Sequence, residues 1–272
     1  MVNLPPVRRN TSTLIRFPDW LRVIRVVIDR PLGVHLNLTD RCACHCEYCE
    51  LSAGGSPREM PTDLVVSALA MAHELDCPVM LSGGEPLLHS QIERILDTAC
   101  RLDVALLLTT GGWELRRLLA GDGRLPLPRR AQVLLSLDAA EPRRNDERRG
   151  RPGSHRAVLE CVRLLRGRRS VSLVAVAQPG LGNVPGILAL AARERISLWV
   201  QPCIYQSNFP GREPLTRKAA ARTDLARLAR EIERRLAVCR RAARELRVET
   251  NLEMLHWWAA GEYHKYNDNG KH

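Results

Sequence analysis

Four cysteines stand within eight positions of this 272-residue chain, in the segment RCACHCEYCE at residues 41–50. The chain has nine cysteines in all, an odd number. Neither an apolar signal segment near residue 1 nor an apolar run of membrane-spanning length is found, so we expect a cytoplasmic, thiol-reducing location without a membrane span. This setting disfavours a disulfide framework. The cysteine segment is therefore predicted to bind a metal or to form a reactive-thiol patch.

The spacing of these cysteines fits an iron–sulfur cluster better than a zinc site. Structural zinc sites draw their ligands from two separated pairs, and the remaining cysteines are far apart in the sequence: Cys77, Cys100, Cys161, Cys203 and Cys239. The pattern Cys42-x3-Cys46-x2-Cys49 can instead hold three irons of a [4Fe–4S] cubane and leave the fourth iron open to a small molecule. Cys44 does not fit this spacing, and we expect it to be dispensable.

The elements around the cysteines predict a parallel α/β fold. Short runs rich in Leu and β-branched residues alternate with helical patterns, and the six predicted strands are 33–39, 78–86, 104–112, 131–139, 171–178 and 196–203. Polar or glycine-rich stretches follow the strands, namely SGGEP at 82–86, TTGG at 109–112, and SLD at 136–138 before a charged loop. Because ligands bind at the carboxyl edge of parallel sheets, these stretches are predicted to form one site.

These motifs, taken in order, resemble the radical S-adenosylmethionine (radical SAM) superfamily, in the branch that contains the molybdenum-cofactor GTP cyclases and peptide-modifying enzymes. The resemblance covers residues 33 to about 210. It implies a partial (βα)6 barrel at 33–210, preceded by an N-terminal extension at 1–32 and followed by a C-terminal helical segment at 211–272.

The same resemblance implies a role for particular residues. Cys42, Cys46 and Cys49 are expected to hold a [4Fe–4S] cluster, and the GGEP stretch to hold the amino group of S-adenosylmethionine (SAM). Ser136 and Arg149 are candidates for the carboxylate and ribose of SAM. The complete set of expected cofactor-binding residues is Tyr48, Gly83, Gly84, Glu85, Pro86, Ser136, Asp138 and Arg149. Relatives usually carry an asparagine where this chain has Gly111 and a phenylalanine where it has His155. Asn183 matches the family layout more weakly.

The resemblance implies a biosynthetic enzyme that cleaves SAM reductively to a 5′-deoxyadenosyl radical, which abstracts a hydrogen from the substrate. A donor such as flavodoxin or ferredoxin is expected to supply the electron.

The net charge of +11 suits a small anionic metabolite as the substrate. One alternative is a ribosomally made peptide; another is a non-catalytic, metal-bearing module that binds RNA. A nucleic-acid partner is not favoured, because the arginine-rich segment 224–247 has no aromatic residue for base stacking. We expect one cluster and no auxiliary one.

Overall fold

The computed structural model describes residues 33–49, 57–120, 126–177 and 183–202, together with residue 230. The predicted N-terminal extension and almost all of the predicted C-terminal helical segment lie outside these residues. No helix in the described ranges is long and apolar enough to cross a membrane.

The six predicted strands are all present and form one sheet, although most are shorter than the sequence suggested. They are β1 Val34–Asn37, β2 Val79–Ser82, β3 Leu106–Thr110, β4 Gln132–Ser136, β5 Ser170–Ala177 and β6 Ser197–Pro202. The strands lie side by side in chain order, and every neighbouring pair is parallel. The sheet is open, with β1 and β6 at its described edges, which agrees with the predicted (βα)6 partial barrel.

Helices connect the strands. They are α1 Thr62–Glu74, α2 Ile92–Arg101, α3 Trp113–Ala120, α4 Pro142–Arg149, α5 Ser154–Leu165 and α6 Val184–Glu194, with a short 3₁₀ turn at Pro86–Leu88. The prediction of a charged loop after β4 was wrong, because α4 occupies that segment. Both ends of α4 are capped. The Glu141 carboxylate accepts hydrogen bonds from the Arg143 and Arg144 backbone N–H groups at 3.0 and 2.7 Å, and Gly150 ends the helix in the left-handed region at φ 57°.

Burial alternates along β2 and β3, whereas the middle residues of β4 and β5 are buried on both faces of the sheet. Buried residues such as Leu36, Leu81 and Leu108 face the helices and form one continuous apolar core. The parallel direction brings the carboxyl ends of all six strands to one edge of the sheet. That edge carries the cysteine segment after β1, SGGEP after β2, TTGG after β3 and SLD after β4.

Candidate functional site

The cysteine loop, defined here as Cys42–Cys49, follows β1 at the carboxyl edge of the sheet. Its Cys44 and Cys46 side chains are buried, while Cys42 and Cys49 are partly buried. The backbone N–H of Cys44 donates a hydrogen bond to the Cys42 Sγ atom at 3.4 Å. Hydrogen bonds with the Cys42 and Cys46 thiols, and then the charge of Arg149, lower the pKa of Cys44. Cys44 thus lies beside two of the expected ligands, and its exclusion from the ligand set stays a prediction.

The C-terminal end of α4 supports this loop. The His45 N–H donates to the Arg149 carbonyl at 2.9 Å, and the Glu47 N–H donates to the Arg148 carbonyl at 3.1 Å. A Cβ atom placed on Gly150 would lie 2.5 Å from the His45 carbonyl oxygen, so only glycine allows this approach. The helix that sequence reasoning missed therefore fixes the path of the cysteine loop. The sequence signals that could have indicated helix α4 are its capping residues, Glu141 and Gly150.

The SGGEP segment packs against residues 39–41, which lead from β1 into the cysteine loop. The Gly84 N–H donates to the Thr39 carbonyl at 2.7 Å, and the Glu85 N–H donates to the Arg41 carbonyl at 2.7 Å. A Cβ atom on Gly83 would lie 2.6 Å from the Thr39 oxygen, and one on Gly84 would overlap the Arg41 carbonyl. The glycines thus permit close contact between two backbones. The expected role of the GGEP stretch, to hold the amino group of SAM, stays a prediction.

Glu85 connects the end of β2 to the end of β3. Its Oε2 atom accepts hydrogen bonds from the Thr110 hydroxyl and the Gly111 N–H, both at 2.9 Å, and its Oε1 atom accepts one from the Leu87 N–H at 3.4 Å. The carboxyl group is fully buried, and burial raises its pKa to about 7. Pro86 is buried as well and begins the 3₁₀ turn. The carboxylate that was expected to accept hydrogen bonds from the SAM ammonium thus already has three protein donors.

Three of the expected cofactor-binding residues form a buried polar triad of Tyr48, Asp138 and Arg149. The Tyr48 hydroxyl donates to Asp138 Oδ2 at 2.6 Å, and Arg149 Nη1 donates to the same oxygen at 3.0 Å. The Val176 N–H donates to Asp138 Oδ1 at 3.2 Å. Burial, followed by the Asp138 charge, raises the pKa of Tyr48 well above its ordinary value. The triad links the cysteine loop to the ends of β4 and α4.

Ser136 and Asn183 complete the edge of the site. Ser136 is the last residue of β4 and is partly buried; the adjacent Leu135 points into the core. Asn183 Nδ2 donates to the Asp138 carbonyl at 3.0 Å and to the Val176 carbonyl at 3.1 Å. The Asn183 Oδ1 atom is buried and has no hydrogen-bond partner in the described part of the chain. The sequence indicated this residue only weakly.

The arrangement of the thiols bears on what they can bind. Among the described residues, no three His, Cys, Asp or Glu side chains are placed to hold a single metal ion. The assignment of Cys42, Cys46 and Cys49 to a multi-iron cluster therefore stays a prediction from their spacing in the sequence. A backbone N–H directed at one of the sulfurs is also typical of iron–sulfur sites.

Comparison with curated proteins gives two kinds of relative. A probable GTP 3′,8-cyclase of Halobacterium salinarum is 36% identical over 181 residues, which are 61% of this chain and 49% of the relative. A PqqA peptide cyclase of Streptomyces rochei is 33% identical over 141 residues, which are 50% of this chain and 37% of the relative. The chain thus spans about half the length of the first of these relatives, and less of the second.

Comparison with solved structures and with family models identifies the fold and the family of this chain. The structure of Streptococcus suis SuiB bound to S-adenosylmethionine aligns with a TM-score of 0.62 at 17% identity, over 81% of this chain and 50% of SuiB. At that identity the likeness shows a shared fold. The model of the Radical SAM superfamily matches residues 36–183, which contain the cysteine loop, SGGEP and the polar triad. The chain belongs to the radical SAM superfamily, whose members use a [4Fe–4S] cluster and SAM.

Proposed function

We propose that Cys42, Cys46 and Cys49 hold a [4Fe–4S] cluster and that the chain acts as a radical SAM enzyme. The observation that carries the proposal is the position of the cysteine loop. It lies at the carboxyl edge of the sheet, where hydrogen bonds anchor the loop to the end of α4 and anchor the residues just before it, Thr39 and Arg41, to the SGGEP segment. When bound, such a cluster with SAM supplies the 5′-deoxyadenosyl radical that abstracts hydrogen from a substrate.

The chain's own residues would then bind and orient SAM. Arg149 is the candidate for the SAM carboxylate, because a guanidinium has five N–H donors and Asp138 occupies Nη1. The Arg149 Nε atom is buried and has no hydrogen-bond partner among the described residues. Ser136 is the candidate for the ribose, and the Asn183 Oδ1 atom is a further acceptor. In this assignment Asp138 and Tyr48 position Arg149.

Two substrate classes remain in the proposal. A small anionic metabolite is favoured by the net charge of +11 and by similarity to a protein named as a GTP cyclase. A ribosomally made peptide is the second candidate, supported by similarity to a PqqA peptide cyclase. We further propose that the protein works in the cytoplasm and takes its electron from a donor such as flavodoxin or ferredoxin.

Cysteine variants test the assignment of the cluster ligands. After anaerobic reconstitution with iron and sulfide, the unaltered chain should contain about four irons. Cys42→Ala, Cys46→Ala and Cys49→Ala should each lose the cluster absorption, whereas Cys44→Ala should retain it. Cys100→Ala, on α2 and away from the cysteine loop, is the matched control. Loss of the cluster in Cys44→Ala together with its retention in Cys42→Ala would overturn the ligand assignment.

A further inference from the structure

One peptide unit of the cysteine loop is held at both ends. Arg151 Nη1 donates a hydrogen bond to the Ala43 carbonyl oxygen at 3.0 Å. The N–H of the same peptide unit belongs to Cys44 and donates to the Cys42 Sγ atom at 3.4 Å. Because a trans peptide is planar and its C=O and N–H point in opposite directions, fixing the oxygen also fixes the direction of the N–H. Arg151 therefore acts on the Cys42 sulfur through this peptide.

Arg151 is itself held by Trp113, the first residue of α3. The guanidinium carbon lies 4.2 Å from the centroid of the indole ring, within the range of a cation–π contact. The Arg151 Nε atom is buried and has no hydrogen-bond partner in the described ranges, so the indole face offsets part of the cost of removing this cation from water. On Gly153, at φ 80°, a Cβ atom would lie 3.3 Å from the indole. The indole is thus packed tightly in place.

We propose that Arg151, stacked on Trp113, is a positioning residue that directs the Cys44 N–H at the Cys42 sulfur and raises the reduction potential of the cluster bound there. This inference rests on the proposed function, since it requires Cys42 to be a cluster ligand. The physical reason is charge. Reduction adds a negative charge to the cluster, and a nearby cation together with an N–H···S hydrogen bond stabilises the reduced form.

A second arginine provides the matched control. Arg116 lies on the same indole, 5.0 Å from its centroid, and pairs with Glu160 at 3.0 Å. None of the hydrogen bonds or ion pairs described for Arg116 reaches the cysteine loop. Comparing Arg151→Ala with Arg116→Ala therefore separates an effect on the cysteine loop from the loss of a cation on Trp113.

The experiment uses the full chain, reconstituted anaerobically, with two readouts. The midpoint potential is measured by a redox titration followed by electron paramagnetic resonance, and cluster stability by the rate of iron loss to a ferrous chelator. Arg151→Ala should have a more negative potential and lose iron about tenfold faster, as is typical for loss of a residue that supports a ligand. Arg151→Lys, which keeps the charge and loses the planar stack, should show a smaller shift in the same direction. Arg116→Ala should match the unaltered chain.

An unchanged potential in Arg151→Ala would overturn the inference even if iron loss were faster, because packing alone would explain the loss. If Arg151→Ala assembles no cluster, Arg151→Gln, which removes the charge and keeps a polar side chain, decides, and a midpoint potential equal to that of the unaltered chain would contradict the proposal. A shift of the midpoint potential in Arg116→Ala as large as that in Arg151→Ala would also contradict the proposal. Failure of the proposed function gives a different result: the unaltered chain itself would take up no cluster, or Cys42→Ala would retain it.

Discussion

Replacing the buried Glu85 carboxyl by an amide is expected to change how the stability of the chain depends on pH. Burial raises the pKa of Glu85 from 4.5 to about 7 in the folded chain. A raised pKa means that the folded state binds the proton more tightly than the unfolded state does. The stabilisation from this group is therefore fully present below about pH 4.5 and is lost as the pH rises through about 7. Glu85→Gln removes this dependence.

The magnitude follows from the same two values. A shift from 4.5 to about 7 corresponds to about 3 kcal/mol at most, given 1.36 kcal/mol for each pKa unit. Glutamine keeps an oxygen that can accept from the Thr110 hydroxyl and the Gly111 N–H, so the local structure should persist. Between about pH 5 and about pH 8 the variant should therefore gain up to about 3 kcal/mol of unfolding free energy relative to the unaltered chain.

The assay is urea unfolding of the metal-free chain at these two pH values, followed by circular dichroism. Glu160→Gln is the control. Hydrogen bonds from Arg156 and Arg116 lower the Glu160 pKa, so this carboxylate is ionised throughout the window and its replacement should add no pH dependence. A constant difference between Glu85→Gln and the unaltered chain at both pH values would refute the buried environment described for Glu85.

Two further predictions concern the groups that support the cysteine loop. Asp138→Asn should lower the unfolding free energy by about 3–5 kcal/mol, because it leaves the buried Arg149 charge without its partner; Tyr48→Phe, which removes two hydrogen bonds but no charge, should cost about 2 kcal/mol. Denaturant unfolding measures both, and equal costs would contradict the ion-pair argument. Gly84→Ala should impair cluster uptake, since its Cβ would overlap the Arg41 carbonyl; Gly167→Ala, which strains the backbone at φ 73° but whose Cβ would meet no atom within 4 Å, should leave iron content unchanged. Normal iron content in Gly84→Ala would contradict the tight packing of the two loops.

The sequence was sufficient to predict the sheet, whereas the set of cluster ligands stays a prediction. Leu-rich runs separated by helical patterns predict the strands directly, and the spacing of residues 42, 46 and 49 is local information. Helix α4 was not predictable from hydrophobic periodicity, because PRRNDERR has no apolar stripe. Its stability comes from the Glu141 and Gly150 caps and from contacts with the cysteine loop, which lies about a hundred residues earlier.

The hydrogen-bond partners of the buried polar side chains could not be predicted from the sequence either. The resemblance indicated that Glu85, Asp138 and Arg149 belong to one site, but not that these side chains bond to protein groups. The bond from Tyr48 to Asp138 joins residues 90 positions apart, and the bond from Arg151 to Ala43 joins residues 108 apart. Such contacts depend on how the strand ends and helices pack together, which no local pattern encodes.

The cleavage of SAM tests the central claim most directly. The full chain, reconstituted anaerobically to about four irons, is reduced with dithionite in the presence of SAM, and the products are separated by liquid chromatography and identified by mass spectrometry. The account predicts slow formation of 5′-deoxyadenosine and methionine even without substrate, and no cleavage in Cys46→Ala. Intact SAM after strong reduction, with the cluster demonstrably full, would contradict it and favour a non-catalytic, metal-bearing module instead.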